Sequence, residues 1–569
     1  MAVHPSEKEH ANGQVEEVGD IKFHKVEDVD YVQEKGGNDG GTSYQIANGA
    51  PVEAVNPLGY HVGFWTSLMI NVGGMIGTGI FSTPSNILTG TGSVGLALIY
   101  WVIGFVVTLS GVSVFLELAS FFPSRSGAEA VYLEQAFNRP IYFVPITFAV
   151  STVLLSFRSN NALVLAQYVF QVAGRQGSEW EQKGVAIASV TIISIIIILN
   201  TNMSLKILNI VGTIKLLTLI FIAITGFAVL GGHTPVAKPT ANFHNSFDGT
   251  TSDPYGISNA LVSIIYSFKG YTNMFTMVNE IKNPIKTIKR SAYSSTVAIF
   301  VLYFLVNIAY FAGVPKADLK KSRQATASLF FANVFGDKAA QGLSILPIIS
   351  AAGNLLAATT VKARMIREIG RQGVLPYPKF WVTTRPFGSP IGSVLVIWAI
   401  SVVVTLAPPV DSAFNFIVAL KNWPESVFFS LVAIGLLRLR YQRDKAGLPR
   451  TEFRVFTLVA IFFILTNLFL IVMPWVPPKG TTKSPSFNFF YATPAIVAVG
   501  VVIIMIVYYW AWMYWLPNLG HYKLRAKIDE HEDGSVGTRL IKIPDSEVEA
   551  WDARHDPAGR SLDERKRDA

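Results

Sequence analysis

Between residues 61 and 516 the chain alternates long apolar runs with short polar connections. The runs have the length, about 20 residues, that carries an α-helix across the hydrocarbon of a bilayer. Twelve of them predict twelve spans, over 65–88, 94–121, 141–172, 184–201, 206–231, 257–279, 291–313, 340–361, 391–407, 413–437, 455–474 and 491–515, numbered 1 to 12 below. The flanks read differently. Residues 1–60 are acidic and rich in Gly, with no apolar core of a signal peptide, so span 1 is expected to act as the targeting signal. Too little apolar surface is present there to offset chain entropy, which predicts a disordered tail. Residues 517–569 form a second polar tail. The pattern therefore predicts an all-α polytopic membrane protein with a 61–516 twelve-span domain between two tails.

Composition agrees. The chain is 50% hydrophobic and 15% charged, against roughly 25% charged in soluble domains. Both tails are net acidic, with 4 Lys+Arg against 11 Asp+Glu in residues 1–60 and 10 against 12 in 517–569, although the whole chain carries +9. The basic excess thus lies between the spans. Loops after the even-numbered spans hold roughly twice the Lys and Arg of the loops opposite, which places both termini in the cytoplasm. Basic residues so placed set topology and give no reason to expect nucleic acid. The absence of cysteine excludes a disulfide-linked partner subunit and a Cys-ligated zinc site. No P-loop, G-x-S-x-G, H-E-x-x-H or metal-ligand spacing is found, so neither an enzyme nor a cofactor is expected.

Two spans are interrupted. Span 1 contains Gly73-Gly74-Met75-Ile76-Gly77-Thr78-Gly79 and span 6 contains Ser267-Phe268-Lys269-Gly270-Tyr271-Thr272, one break at the head of each five-span half. Irregular backbone inside hydrocarbon survives only where it lines a cavity or meets a ligand. Interruptions at corresponding positions of two halves point to a transporter binding site, and the odd offset makes the halves inverted. Free amides near Thr78, Gly79 and Ile80, with a helix dipole behind them, suit a carboxylate. Exposed carbonyls such as those of Met75, Tyr266 and Lys269 suit an ammonium group. Together they describe an α-amino acid. Close helix packing by small residues is the competing explanation of the span 1 glycines.

Residues 73–83 (GGMIGTGIFST), 124–135 (SRSGAEAVYLEQ), 266–290 (YSFKGYTNMFTMVNEIKNPIKTIKR) and 363–376 (ARMIREIGRQGVLP) resemble amino acid permeases of the amino acid–polyamine–organocation superfamily. APPVDSAFNF (407–416), WVPP (475–478) and GHYKL (520–524) resemble its fungal high-affinity methionine permease branch. The resemblance implies a LeuT-like 5+5 inverted repeat with broken helices 1 and 6 plus two extra helices, and uptake of methionine, with cysteine a further candidate, at the plasma membrane. It assigns Thr78 and Gly79, beside Met75 and Gly77, to the substrate carboxylate and Tyr266 to an aromatic gate, with Phe268 and Tyr271 as candidates for the same cavity. It also places Lys215 where sodium-independent members put a lysine in the space of a sodium ion, and suggests ubiquitin-ligase machinery acting on Lys8, Lys22, Lys25 or Lys35. Without a nucleotide site transport must draw on a gradient, and protons suit such a lysine; obligate exchange is the alternative.

Charges at bilayer depth cost about 2.5 to 3.5 kcal/mol each and mark function by default. Lys215 reads as a strut from span 5 to span 1, as a proton-linked group or as a snorkelling side chain. Glu117 in span 2 either pairs with a cation or sits at the water boundary, and Glu280 is expected in an ion pair. Lys269 would repel an α-ammonium if it pointed inward, so it points elsewhere or the substrate carries an extra carboxylate; Arg158 in span 3 favours the second option. Ser350, Asn354 and Thr359 of span 8 and Asn415, Asn422 and Glu425 of span 10 are candidates for solute contact or for interhelical bonds. Rival functions are transport of acidic or bulky neutral amino acids, and a sensor that binds without translocating.

Overall fold

The computed structural model describes residues 14–18, 21–26, 29–36, 41–46, 49–53, 56–321, 326–407, 410–478, 480–483, 490–530, 534–556 and 559. Among them, ten helices are long and apolar enough to cross a bilayer, which makes this a multi-pass membrane protein. The remaining two predicted spans fold as the shorter helices Pro254–Phe268, followed by a 3-10 stretch Asn273–Glu280, and Ile391–Leu406. Boundaries follow local chemistry. Ser178 and Glu181 form a reciprocal capping box at the start of span 4, the Asn200 side chain accepts from the Met203 amide to start span 5 one residue after span 4 ends, and Asp253 caps span 6. Span 8 runs on to Arg371, ten residues beyond its apolar run, because Lys362, Arg364, Arg367 and Glu368 are good helix formers with partners to meet.

Three spans are broken. Span 1 divides into Phe64–Met75 and a helical stretch that starts at Gly79 and continues through Thr83 to Thr91. Span 6 opens at Lys269–Thr272. Span 3, expected to be continuous, divides into Phe143–Leu154 and Ser159–Val172. The polar run Arg158-Ser159-Asn160-Asn161 supplies the reason: Ser401 bonds the Arg158 amide at 2.8 Å, and the Ser159 hydroxyl bonds the Ser401 carbonyl at 3.0 Å, so span 9 takes over bonds the helix gives up. The breaks of spans 1 and 6 cross at glycines. Gly270 has φ +110, and a Cβ there would lie 2.5 Å from the Gly74 carbonyl carbon, so a side chain would force the two segments apart.

The tails correct one expectation. Residues 1–60 are not a disordered arm where they are described: β1 (Gln14–Val18), β2 (Ile21–Val26), β3 (Val29–Gly36) and β4 (Gly41–Ile46) form an antiparallel meander. Tyr31 pairs with Ile46 across β3 and β4, and both are buried against Leu448 after span 10. That short apolar strip, together with Glu34, Gln45 and Glu53 as bonding partners, offsets ordering that mean composition argued against. Residues from 522 onward form a hairpin of β5 (Tyr522–Glu530) and β6 (Val536–Pro544). Both tails pack on one face. Arg371, 1% exposed along its side chain, donates to the Pro51 carbonyl at 2.7 Å and to the Val536 carbonyl at 2.7 Å, and pairs with Glu368 at 2.6 Å.

Beside it the fully buried Arg125, in the connection after span 2, bonds Glu134 and Glu368 at 2.9 Å each, Gln45 at 2.9 Å and the Ala50 carbonyl. Burial disfavours its charge, but the two carboxylates more than offset that and hold the guanidinium protonated above its ordinary range. Removing one partner of such a cluster leaves bare buried charges. Arg125→Ala is therefore expected to cost ~3–5 kcal/mol, read as a lower unfolding temperature of the detergent-purified protein and reduced surface expression.

Candidate functional site

A cavity of about 210 Å³ lies where the three breaks converge, lined by Gly77, Thr78, Gly79, Asn160, Asn161, Tyr266, Lys269 and Asn354 among others. What surrounds span 1 explains how an opened helix persists there. The Lys215 ammonium reaches the Gly73 carbonyl at 2.9 Å and the Ile76 carbonyl at 2.7 Å. Asn354 donates to the carbonyls of Gly73 at 3.3 Å and Gly74 at 2.5 Å, and Ser350 lies 3.3 Å and 3.2 Å from those of Ile76 and Gly77. The Tyr303 hydroxyl sits 2.7 Å from the Met75 carbonyl and 3.2 Å from the Ser267 carbonyl, bridging the two breaks. Each of these carbonyls would otherwise cost on the order of 1–3 kcal/mol.

On the other side of the break the amides of Thr78, Gly79 and Ile80 find no acceptor among the described residues, and they open the helical stretch that runs to Thr91. The Thr78 hydroxyl donates to Asn161 Oδ1 at 3.0 Å and lies 3.3 Å from the Tyr266 hydroxyl. The Tyr266 hydroxyl donates to Asn161 Oδ1 at 3.1 Å and accepts from Asn160 at 3.0 Å, while Asn161 also bonds Asn354. One polar network thus ties spans 1, 3, 6 and 8 together around the cavity. It presents hydrogen-bond donors and a positive helix end to a solute, an arrangement suited to a carboxylate.

The predicted residues do not all meet here. Met75, Gly77, Thr78, Gly79, Tyr266 and Lys269 line the cavity. Phe268 does not: it is fully buried with Trp101 and Tyr303, ring centroids 5.9 and 5.3 Å apart, because its position on the helix faces spans 2 and 7. Tyr271 lies against Phe115 and Phe429 and borders a smaller neighbouring cavity. Two of the three carbonyls expected to receive an ammonium are already engaged, Met75 by Tyr303 and Tyr266 by the Lys269 amide, while that of Lys269 has no donor among the described residues. Lys269 turns toward span 10, pairing with Glu425 and donating to Asn422 at 2.6 Å.

Glu117 stands apart from the cavity in a buried bidentate pair with Arg440, 2.7 and 2.5 Å, and its carboxylate also accepts from the Val455 amide. That is a brace between spans 2 and 10, not an ion site. Glu280 pairs with Arg364 at 2.6 Å. Arg158 donates to the Ala358 carbonyl at 2.7 Å, and Lys421 holds the Phe157 carbonyl. Both line the cavity with Lys362 and Glu129. Asn160, Asn161, Tyr303, Lys421 and Glu129 were not singled out from the sequence; the only signal for the first two was a polar run inside an apolar span.

A Cβ at Gly79 would stand 2.9 Å from the Ser267 backbone. Gly79→Ala is therefore expected to push span 6 off the amides of span 1 and to lower uptake about tenfold, the effect of losing one charge-assisted bond, at unchanged surface expression measured in parallel.

The amino acid permease family matches residues 62–511 of this chain. The chain is 36% identical over 486 residues to the high-affinity methionine permease of Saccharomyces cerevisiae, covering 85% of this chain and 84% of that protein. It is 28% identical to the low-affinity methionine permease of the same yeast over 500 residues, 86% and 89% of the two chains. It is 24% identical to the b(0,+)-type amino acid transporter 1 of Mus musculus over 480 residues, 82% and 92% of the two. With ten apolar crossing helices around a broken-helix cavity, and relatives that are transporters and not enzymes, the chain belongs to the amino acid permease family, within the amino acid–polyamine–organocation superfamily.

Proposed function

We propose that this permease imports L-methionine, and secondarily cysteine, across the plasma membrane by proton symport. In this reading it crosses the bilayer twelve times as two inverted five-span repeats plus two helices, with both termini cytoplasmic. The observation that carries it is a run of amides, at Thr78 and Gly79 in the lining of a solute-sized cavity beside Tyr266 and at Ile80 next to them, that find no acceptor among the described residues. A carboxylate docks on those amides. Phe148, Met365, Val418, Phe428 and Phe429, in the same cavity, offer the polarisable apolar surface a thioether prefers. Similarity to two methionine permeases supports the substrate. Lys215, held by two span 1 carbonyls, serves as a strut in place of a metal ion. Lys22, Lys25 and Lys35, in β2 and β3, remain proposed ubiquitin acceptors, and Lys8 lies outside the described residues.

One observation favours a second reading. Arg158, Lys269, Lys362 and Lys421 line the cavity against only two carboxylates, Glu129 and Glu425. A substrate whose side chain is itself anionic would balance that excess. Competition uptake of labelled methionine against methionine, cysteine, leucine and glutamate at two pH values separates the alternatives. Cysteine and unlabelled methionine are expected to compete, with faster uptake at the more acidic pH. Glutamate outcompeting methionine would establish the anionic substrate, and binding without accumulation of any amino acid would establish a sensor.

A further inference from the structure

Most buried carboxyl groups of this protein are committed to a cation. Glu53, Glu117, Glu134, Glu280 and Glu368 each meet an arginine, and the half-buried Glu425 meets Lys269. Glu129 is different. It opens the helix Glu129–Ala136 in the connection between spans 2 and 3, is 6% exposed, and lines the end of the central cavity nearest the tails, with Thr276, Lys362 and Met365. Its Oε2 is buried without a hydrogen-bond partner among the described residues, and no ion pair engages it there. Lys362, at the same end, has the Met365 sulfur at 3.4 Å as its hydrogen-bond partner. A carboxyl and an ammonium thus border one cavity, neither tied to an arginine or a carboxylate among the described residues.

The titratable groups around Glu129 are Lys362 from span 8, Glu425 from span 10, Tyr132 on its own helix and Tyr271 from the span 6 break. The helix Phe143–Leu154 packed beside it contributes none. Arg158, Lys269 and Lys421 line the same cavity. Lys215, the residue the sequence offered for proton coupling, is bonded to two backbone carbonyls of span 1 and stands outside the cavity lining.

We propose that Glu129 carries the coupled proton: neutral while the cavity is closed around its solute, ionised and facing Lys362 once tail-side water enters. This rests on the proton-symport reading given above. The step is a simple transfer, in which the proton leaves the carboxyl for a water molecule, the carboxylate remains behind, and no other bond changes. Burial lifts this carboxyl from the ordinary range to about 7, the nearby Lys362 pulling it the other way, so small changes in hydration switch it near neutral pH.

The full chain in proteoliposomes with labelled methionine provides the test. The wild type is expected to exchange methionine in counterflow and to accelerate net uptake under an inwardly directed pH gradient. E129Q is expected to bring the ratio of gradient-driven uptake to counterflow down to one, whatever its counterflow rate, with E129D recovering part of the wild-type ratio. An E129Q protein that still responds to the gradient like the wild type would overturn the assignment. A wild type that exchanges methionine yet ignores the gradient would instead sink proton symport itself. Thermal unfolding supplies a readout independent of transport. Because the folded-state value lies above that of the unfolded chain, ionising Glu129 costs stability that is lost as pH rises from about 4.5 to about 7. The wild type should therefore lose unfolding temperature relative to E129Q across that window, and a pH-independent offset would also overturn the proposal.

Discussion

A peptide group that gives up its helical partner inside a bilayer must find another, and this protein answers that demand unevenly. The carbonyls released in span 1 are each met by the surrounding framework, through Lys215, Ser350, Asn354 and Tyr303. The amides that follow at Thr78, Gly79 and Ile80 find no acceptor among the described residues. The opened backbone is thereby fixed in place by one set of its groups and made receptive by the other. An anion-seeking surface results without a cationic side chain having to point at it.

The same economy separates structural from mobile charge. Arginines do the bracing: Arg125, Arg364, Arg367, Arg371 and Arg440 each bind buried carboxylates in fork geometry or through several donors, mostly toward the tail-bearing face. Lysines occupy the cavity and its struts, where a single ammonium can shift between carbonyl, amide and carboxylate partners. Rigid planar donors hold most of the scaffold, and compact rotatable ones, with Arg158 beside them, face the cavity.

Much of this was legible in the order of residues. Apolar run length gave the spans, and the glycine cluster of span 1 with the polar insert of span 6 gave the two breaks, because hydrocarbon tolerates such sequences only for cause. Less visible were features that depend on packing between distant segments. The opening of span 3 needs Ser401 of span 9 to receive what the helix releases, and nothing local to residues 155–158 announces that partner. Phe268 and Tyr271 sit in the right motif but on faces turned to other aromatics, since periodicity across a break is lost. The amino-terminal sheet is not legible in mean composition, which is polar, because its buried strip of Tyr31 and Ile46 is completed by Leu448, far along the chain.

Arg371 joins Pro51 to Val536 through one side chain, and this has a bearing on biogenesis. During synthesis the amino-terminal segment emerges long before the last hairpin exists, so its seat is only half built while the spans are being inserted. This part of the tail-side surface can close only after Val536 has left the ribosome, well after the last span, which makes its completion a late event.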